Sequence, residues 1–313
     1  LGGVYITASH NPAEYNGIRF RHPDGTGYTE GNLEIKRIFF EDKLLESDVS
    51  GKINKLSTDE ILDTYVNFVS DKVGSIEGMR VALDPGNGVG CVIIERLFQE
   101  FGAETHSINN EPDGTFPNRP SEPAPKNLSD LISIMENGDY DLGIAFDGDA
   151  DRLLISDENG MLVDGDLIIG VIASSWKKQS RLTSNCIVTT VMSNIALEDY
   201  LKDQRLILKR VQVGDRYVVE QMRLNDCNLG GEQSGHIVLS DFSTTGDGLL
   251  AALQVLHIIH ASGKPASKVC RPFEAKPQLL KSIKFNSANP LQARTVKKVI
   301  ADGERRLSKM GRL

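Results

Sequence analysis

Residues 142–152 read Leu-Gly-Ile-Ala-Phe-Asp-Gly-Asp-Ala-Asp-Arg, an apolar run that stops against three carboxylates. A short apolar run closed by a turn signal reads as a buried strand. Working back, Met79-Arg80-Val81-Ala82-Leu83 is a second such run and ends at Asp84. A glycine-rich turn, 85–90, follows it, and Ile93, Ile94, Leu97, Phe98 and Phe101 then recur at helical spacing. Residues 105–108 suit the next strand. Residues 127–137 suit a helix, with Leu128, Leu131, Ile132 and Met135 on one face. Strand, helix, strand, helix, strand implies a parallel sheet. Ligands of such sheets sit beyond the carboxyl ends of the strands, where the 147–151 loop falls.

The pattern is repeated downstream. Helices are expected over 167–175, 194–202, 216–224 and 247–260, and strands over 186–191, 206–211 and 237–239. The proline-rich stretch 118–125 reads as a stiff loop. Boundaries are expected where the pattern breaks, giving units 1–64, 65–162, 163–272 and 273–313. The chain opens on Leu1 inside a strand-like run and closes on Leu313 after a polar stretch, so it is expected to be cut at both ends.

The chain has 313 residues, enough for two or three domains, and is 40% hydrophobic and 25% charged, which is ordinary for a globular protein. A net charge of −8 argues against a nucleic-acid or membrane-surface binder. No apolar run is long enough to span a membrane, and the first residues carry no signal-peptide pattern. Cys91, Cys186, Cys227 and Cys270 form no paired motif, and a cytoplasmic location with reduced thiols is expected.

Two stretches carry chemistry. Ser9 lies in Tyr-Ile-Thr-Ala-Ser-His-Asn-Pro (5–12), after an apolar run and before a turn. A serine needs activation or a stored phosphoryl group to act as a nucleophile. It is expected to be exposed there, beside His10. A plain turn without chemistry is the competing reading. Asp147, Asp149 and Asp151 occupy alternate positions, which in an extended segment share one face. Three adjacent carboxylates call for a cation, and Mg²⁺ suits all-oxygen ligands. A calcium loop of EF-hand type fits poorly, because Arg152 stands where its glycine is needed. Arg152 can clamp a phosphate or pair with an aspartate. Residues 230–236, Gly-Gly-Glu-Gln-Ser-Gly-His, place Glu232, Ser234 and His236 between glycines. Glu232 and Ser234 suit neighbouring sugar hydroxyls, and His236 suits loop orientation or proton transfer; a polar loop with no ligand is the plainer alternative. Gly214, Asp215 and Arg216 open a helix whose N-terminus can receive an anion; the plainer alternative is an Asp N-cap.

Taken in order, TASHNP (7–12), DGDADR (147–152), VGDRY (213–217) and GEQSGH (231–236) resemble the motifs of the α-D-phosphohexomutase family. DPGNGVG (84–90) and FPNRP (116–120) add lesser matches. The resemblance implies an α/β protein of successive mixed-sheet domains of similar fold, each a three-layer α/β/α unit. It implies a phosphorylated Ser9, Mg²⁺ held by Asp147, Asp149, Asp151 and the Ser9 phosphate, and sugar reading by Glu232, Ser234 and His236. The implied reaction interconverts hexose 6-phosphate and hexose 1-phosphate through a hexose 1,6-bisphosphate. The wording of the later motifs is most similar to the phosphoglucosamine mutase branch, with the phosphomannomutase/phosphoglucomutase branch as the alternative. A Mg²⁺-dependent phosphatase and a non-catalytic sugar-phosphate-binding fragment are rival readings. The implied partner is a small sugar phosphate, with no nucleic acid and no membrane, and a homodimer is an expected assembly. The family's Asn-Gly-x-Lys is here Asn16-Gly17-Ile18-Arg19, so Arg19 is expected to serve as an electrostatic clamp. The family's C-terminal phosphate-binding loop is expected to be missing from this piece, and weak or no turnover is expected from it alone.

Overall fold

In the computed structural model, residues 2–28, 31–43, 51–281, 283–286, 289–308 and 311–313 are described. Leu1, where the first expected unit begins, lies outside them. Strands β1 (Gly3–Ile6) and β2 (Ile18–Arg21) pair antiparallel, Ile6 opposite Ile18. Helices α1 (Gly31–Phe40) and α2 (Thr58–Ser70) follow. The next unit contains β3 (Arg80–Asp84), α3 (Ile94–Glu100), β4 (Glu104–Ser107), α4 (Ser129–Asn137), β5 (Leu142–Phe146), β6 (Leu153–Asp157) and β7 (Leu162–Val163). Its sheet order is β4-β3-β5-β6-β7.

Side-chain alternation along these strands separates two cores. Ala82, Ala145 and Leu154 point to one face and pack with Leu131 and Met135 of α4. Val81, Leu83, Ile144, Phe146, Leu153 and Ile155 point to the other and pack with Leu97 and Phe98 of α3 and Val66 and Val69 of α2. Period-2 strands between helices of period 3.6 give the three-layer α/β/α arrangement.

The three strands read from 79–146 are parallel as expected, and the sheet becomes mixed, also as expected, where a fourth strand joins it. β3 is parallel to β4 and β5, but β5 and β6 are antiparallel, Phe146 opposite Leu153. The reason is loop length. A parallel return needs a crossover of a dozen or more residues, and only 147–152 separate β5 from β6. The acidic loop is therefore the turn of a hairpin, still at the carboxyl end of β5.

The third unit runs through α5 (Gly165–Lys178), β8 (Cys186–Thr190), α6 (Ile195–Asp203), β9 (Ile207–Val211), α7 (Asp215–Leu224), β10 (Leu229–Gly231), β11 (Ile237–Leu239), α8 (Gly248–Ser262) and the short α9 (Ala266–Val269). Its sheet order is β11-β10-β8-β9. Val188 and Val238 face Val218 and Met222 of α7, and Ile187 and Ile237 face the core shared with α5 and α8. Asp164 and Asp247 cap α5 and α8 by accepting from Leu167 N and Leu250 N. Helix α10 (Arg294–Leu307) has no buried residue. No described helix is long and apolar enough to cross a membrane.

Candidate functional site

The hairpin turn is not extended, as the one-face reading of alternate carboxylates assumed. Ala150 lies in the left-handed region with φ 57°. The turn curls instead, held by Ala150 N donating to the Asp147 carbonyl (3.1 Å) and Arg152 N to Asp147 Oδ1 (3.1 Å). The curl still gathers the trio, with one carboxylate oxygen from each of Asp147, Asp149 and Asp151 within 4.8 Å of the others. Asp147 is wholly buried. Asp147 is thus not part of a solvated surface turn, while Asp149 and Asp151 are half-buried.

Ser9 reaches the same place from the front of the chain. Its Oγ donates to Asp147 Oδ2 at 3.3 Å and lies 3.2 Å from His10 Nδ1. Thr7 Oγ1 donates to Asp149 Oδ2 at 3.0 Å. Ser9 was expected to be exposed; it is 5% exposed, because the loop folds down onto the acidic turn and the proline-rich stretch.

Charges crowd Asp151. Arg19 Nη1 is 3.9 Å from its carboxylate, His236 Nε2 3.6 Å and Arg152 Nε 4.0 Å. Arg152 also approaches Glu122 at 3.7 Å. Burial, then repulsion from Asp151 and Asp149, pushes the Asp147 carboxyl well above its ordinary range. Burial raises Asp151 too, and His236 opposes the rise. Burial and the nearby Arg152 lower His10, which favours its neutral form.

The 230–236 loop is bolted to the acidic hairpin. Leu153 N donates to the Gly235 carbonyl at 3.2 Å, and Arg152 and His236 form a backbone bridge. Gly235 has φ 91°, and a Cβ there would lie 1.9 Å from the Leu153 oxygen. Only glycine permits that approach. Gly214, not Asp215, is the N-cap of α7, and its N donates to Glu232 Oε1 at 3.1 Å. Glu232, Ser234 and Arg152 line one cleft of about 580 Å³ with Glu122 and Thr190. Asp215 and Arg216 line a separate hollow with Arg21 and Arg223. The structure thus brings together Ser9, His10, Arg19, Asp147, Asp149, Asp151, Arg152, Glu232, Ser234 and His236, with Gly214 attached through Glu232 and Asp215 and Arg216 lining the separate hollow.

Several supporting residues had no signal of their own in the sequence. Arg119 and Asp84 form a buried ion pair at 2.7 Å. Arg119 Nη2 also donates to the carbonyl of Phe146 at 2.6 Å, one residue before Asp147. Ser121 contacts both Ser9 and Gly148. Tyr65 donates to Asp247 at 2.8 Å, tying α2 to the cap of α8. The turn residues of 84–90 and 116–120 hinted at structure there, but nothing singled out these pairings.

Asp149 Oδ1 and Asp151 Oδ1 are buried without a hydrogen-bond partner among the described residues. Unpartnered hard oxygens in a carboxylate trio gathered within 4.8 Å are a donor set suited to Mg²⁺.

The chain is similar to known proteins in sequence and in fold. Residues 1–46, 62–160 and 164–275 match alpha/beta/alpha domains I, II and III of phosphoglucomutase/phosphomannomutase. A phosphoglucosamine mutase of Rhizobium rhizogenes is 44% identical over 322 residues, covering 99% of this chain and 70% of the relative. The crystal structure of a phosphoglucomutase/phosphomannomutase family protein from Burkholderia thailandensis superposes with a TM-score of 0.78 at 25% identity, over 86% of this chain and 57% of that one. An N-acetylphosphoglucosamine mutase of Aspergillus fumigatus, solved with GlcNAc-6P and magnesium, shares the fold with a TM-score of 0.61 at 17% identity, over 88% of this chain and 73% of that one.

Proposed function

The chain belongs to the phosphoglucomutase/phosphomannomutase family, and on that footing we propose that it interconverts hexose 6-phosphate and hexose 1-phosphate, with glucosamine phosphates as the preferred pair. As a family member it is an enzyme of the isomerase, phosphotransferase kind. The observation that carries the reading is the meeting of Ser9 Oγ with Asp147 at 3.3 Å, across 138 residues of sequence. Preference for glucosamine is supported by the phosphoglucosamine mutase relatives, which match 99% of the chain.

In this proposal Ser9 carries the transferable phosphoryl group. The sugar hydroxyl attacks phosphorus, the bond to Ser9 Oγ breaks, and a hexose 1,6-bisphosphate forms. The bisphosphate turns and returns its other phosphoryl group to Ser9. His10, 3.2 Å from Ser9 Oγ and held neutral by burial, is placed to give or take the proton at that oxygen. Glu232 and Ser234 face the cleft that also contains Arg152, so sugar hydroxyls and a phosphate fit side by side. Arg19 and Arg152 supply positive charge beside the acidic trio. Asp147, Asp149 and Asp151 would hold Mg²⁺ with a Ser9 phosphate oxygen. When bound, the ion neutralises phosphoryl charge and fixes the transferring group. The reading divides the chain into units 1–64, 65–162, 163–272 and 273–313, and fits a cytoplasmic enzyme.

The test is isomerisation of glucosamine, glucose and mannose 6-phosphates by the chain with Mg²⁺ and a trace of hexose 1,6-bisphosphate. Glucosamine phosphate should turn over fastest, and Ser9→Ala should abolish exchange. Undiminished exchange in Ser9→Ala, or an acid- and base-labile phosphate on Asp147, would overturn the assignment, the second in favour of a phosphatase.

A further inference from the structure

The nucleophile loop has a backbone problem that its sequence conceals. Ser9 sits in the left-handed region with φ 53°. A non-glycine residue stays there only where its surroundings fix it. Both of its backbone groups are held by hydroxyls. Ser9 N donates to Thr7 Oγ1 at 2.8 Å, and the Ser9 carbonyl accepts from Ser121 Oγ at 2.9 Å. Each hydroxyl also holds the acidic turn. Thr7 donates to Asp149 Oδ2, and Ser121 Oγ accepts from Gly148 N at 3.0 Å.

Ser121 is well supported for such a task. It is 1% exposed. Its own carbonyl accepts from Arg119 Nη1 at 3.4 Å, and Arg119 is fixed by Asp84 and by the Phe146 carbonyl. Pro120 and Pro123 flank it and restrict the chain. Gly148 leaves room for the contact, since a Cβ there would fall 2.5 Å from Ser121 Oγ and 2.9 Å from the Ser9 carbonyl. Removing the Ser121 hydroxyl would leave the Ser9 carbonyl and the Gly148 amide without their shared partner.

We propose that Ser121 is a positioning residue for phosphoryl transfer at Ser9. Its one hydroxyl fastens the Ser9 carbonyl to the Gly148 amide, and so sets the separation between the nucleophile and the carboxylates of the turn. The inference rests on the function proposed above, and it extends the site to a residue outside every motif. The step concerned is the half-reaction with hexose 1,6-bisphosphate. The phosphorus–oxygen bond to the sugar breaks, the bond to Ser9 Oγ forms, and the serine proton passes to the departing sugar oxygen. A displacement of about 1 Å in such a step costs on the order of a hundredfold in rate.

The experiment follows phosphorylation of Ser9 by glucose 1,6-bisphosphate with Mg²⁺, read by intact-mass spectrometry, in the wild type, Ser9→Ala, Ser121→Ala and the near-isosteric Ser121→Cys. Both Ser121 variants should show a maximal rate about 10- to 100-fold lower. Their half-saturation by the bisphosphate should stay within about twofold, because Glu232, Ser234 and Arg152 are untouched. A merely structural serine would lower the melting temperature and leave the maximal rate alone. A wild-type maximal rate in either folded variant overturns the proposal, as does a loss confined to half-saturation. Should Ser121→Ala fail to fold, Ser121→Cys decides alone, since it keeps the volume and weakens only the hydrogen bonds. Failure of the underlying function looks different, because the wild type would then gain no phosphate, or Ser9→Ala would gain as much.

Discussion

Replacing Arg119 by methionine tests the physical basis of the site most directly. The guanidinium donates from Nε to Asp84 Oδ2 at 2.7 Å, from Nη2 to the carbonyls of Phe146 (2.6 Å) and Asp84 (3.1 Å), and from Nη1 to those of Pro120 (3.0 Å) and Ser121 (3.4 Å). The two side chains are 4% and 1% exposed, so water cannot replace what is lost. Arg119→Met keeps much of the apolar bulk and removes every donor. Breaking a buried ion pair from one side costs about 3–5 kcal/mol, because the remaining charge is left uncompensated. Asp84 retains donors from Gly86 N (2.9 Å) and Asn109 Nδ2 (3.0 Å), which places the expected loss near the lower figure, about 3 kcal/mol. The assay is native-state hydrogen exchange at the amides of 142–146, the strand leading into the acidic turn. A loss of about 3 kcal/mol in opening free energy speeds exchange there roughly a hundredfold. Adding Asp84→Asn removes the stranded charge while keeping an acceptor for both donors. It should restore about 1–3 kcal/mol of the loss. Exchange within a few-fold of wild type in Arg119→Met would refute the reasoning, and so would strictly additive effects in the double variant.

Two further outcomes are expected. Burial pushes the Asp166 carboxyl up to about 7. Its unfolded value is about 3.9, so between these values the folded chain keeps a proton that the unfolded chain has released. Stability therefore falls as pH rises, by about 1.4 kcal/mol per unit over roughly three units, and Asp166→Asn should remove that part of the slope. Urea midpoints between pH 4.5 and 8 check this, and an unchanged slope in the variant counts against it. Gly235→Ala should cost roughly 1–3 kcal/mol and displace the 232–236 loop, since its φ of 91° and the Leu153 oxygen leave no room for a methyl group. Calorimetry and half-saturation by the bisphosphate read both effects, and a variant with wild-type values in each would show the loop to be less fixed than described.

The sequence by itself determined the elements and the chemical inventory. Periodicity in 79–101 and 127–146 marked strands and helices, because burial of one face imposes its spacing locally. Ser9, the aspartates at 147, 149 and 151, and the 230–236 loop stood out because each packs rare chemistry into a few residues. What only the tertiary structure decided were relations between distant segments. It made the acidic loop a hairpin turn, buried Ser9 instead of exposing it, set Asp215 and Arg216 in the lining of a separate hollow, and gave Arg119 and Ser121 their partners. Those facts depend on which buried donor finds which buried acceptor once the layers close. A lone arginine or serine in a proline-rich loop has no local pattern that announces its partner, since the interaction exists only when 112 residues of separation collapse to 2.9 Å.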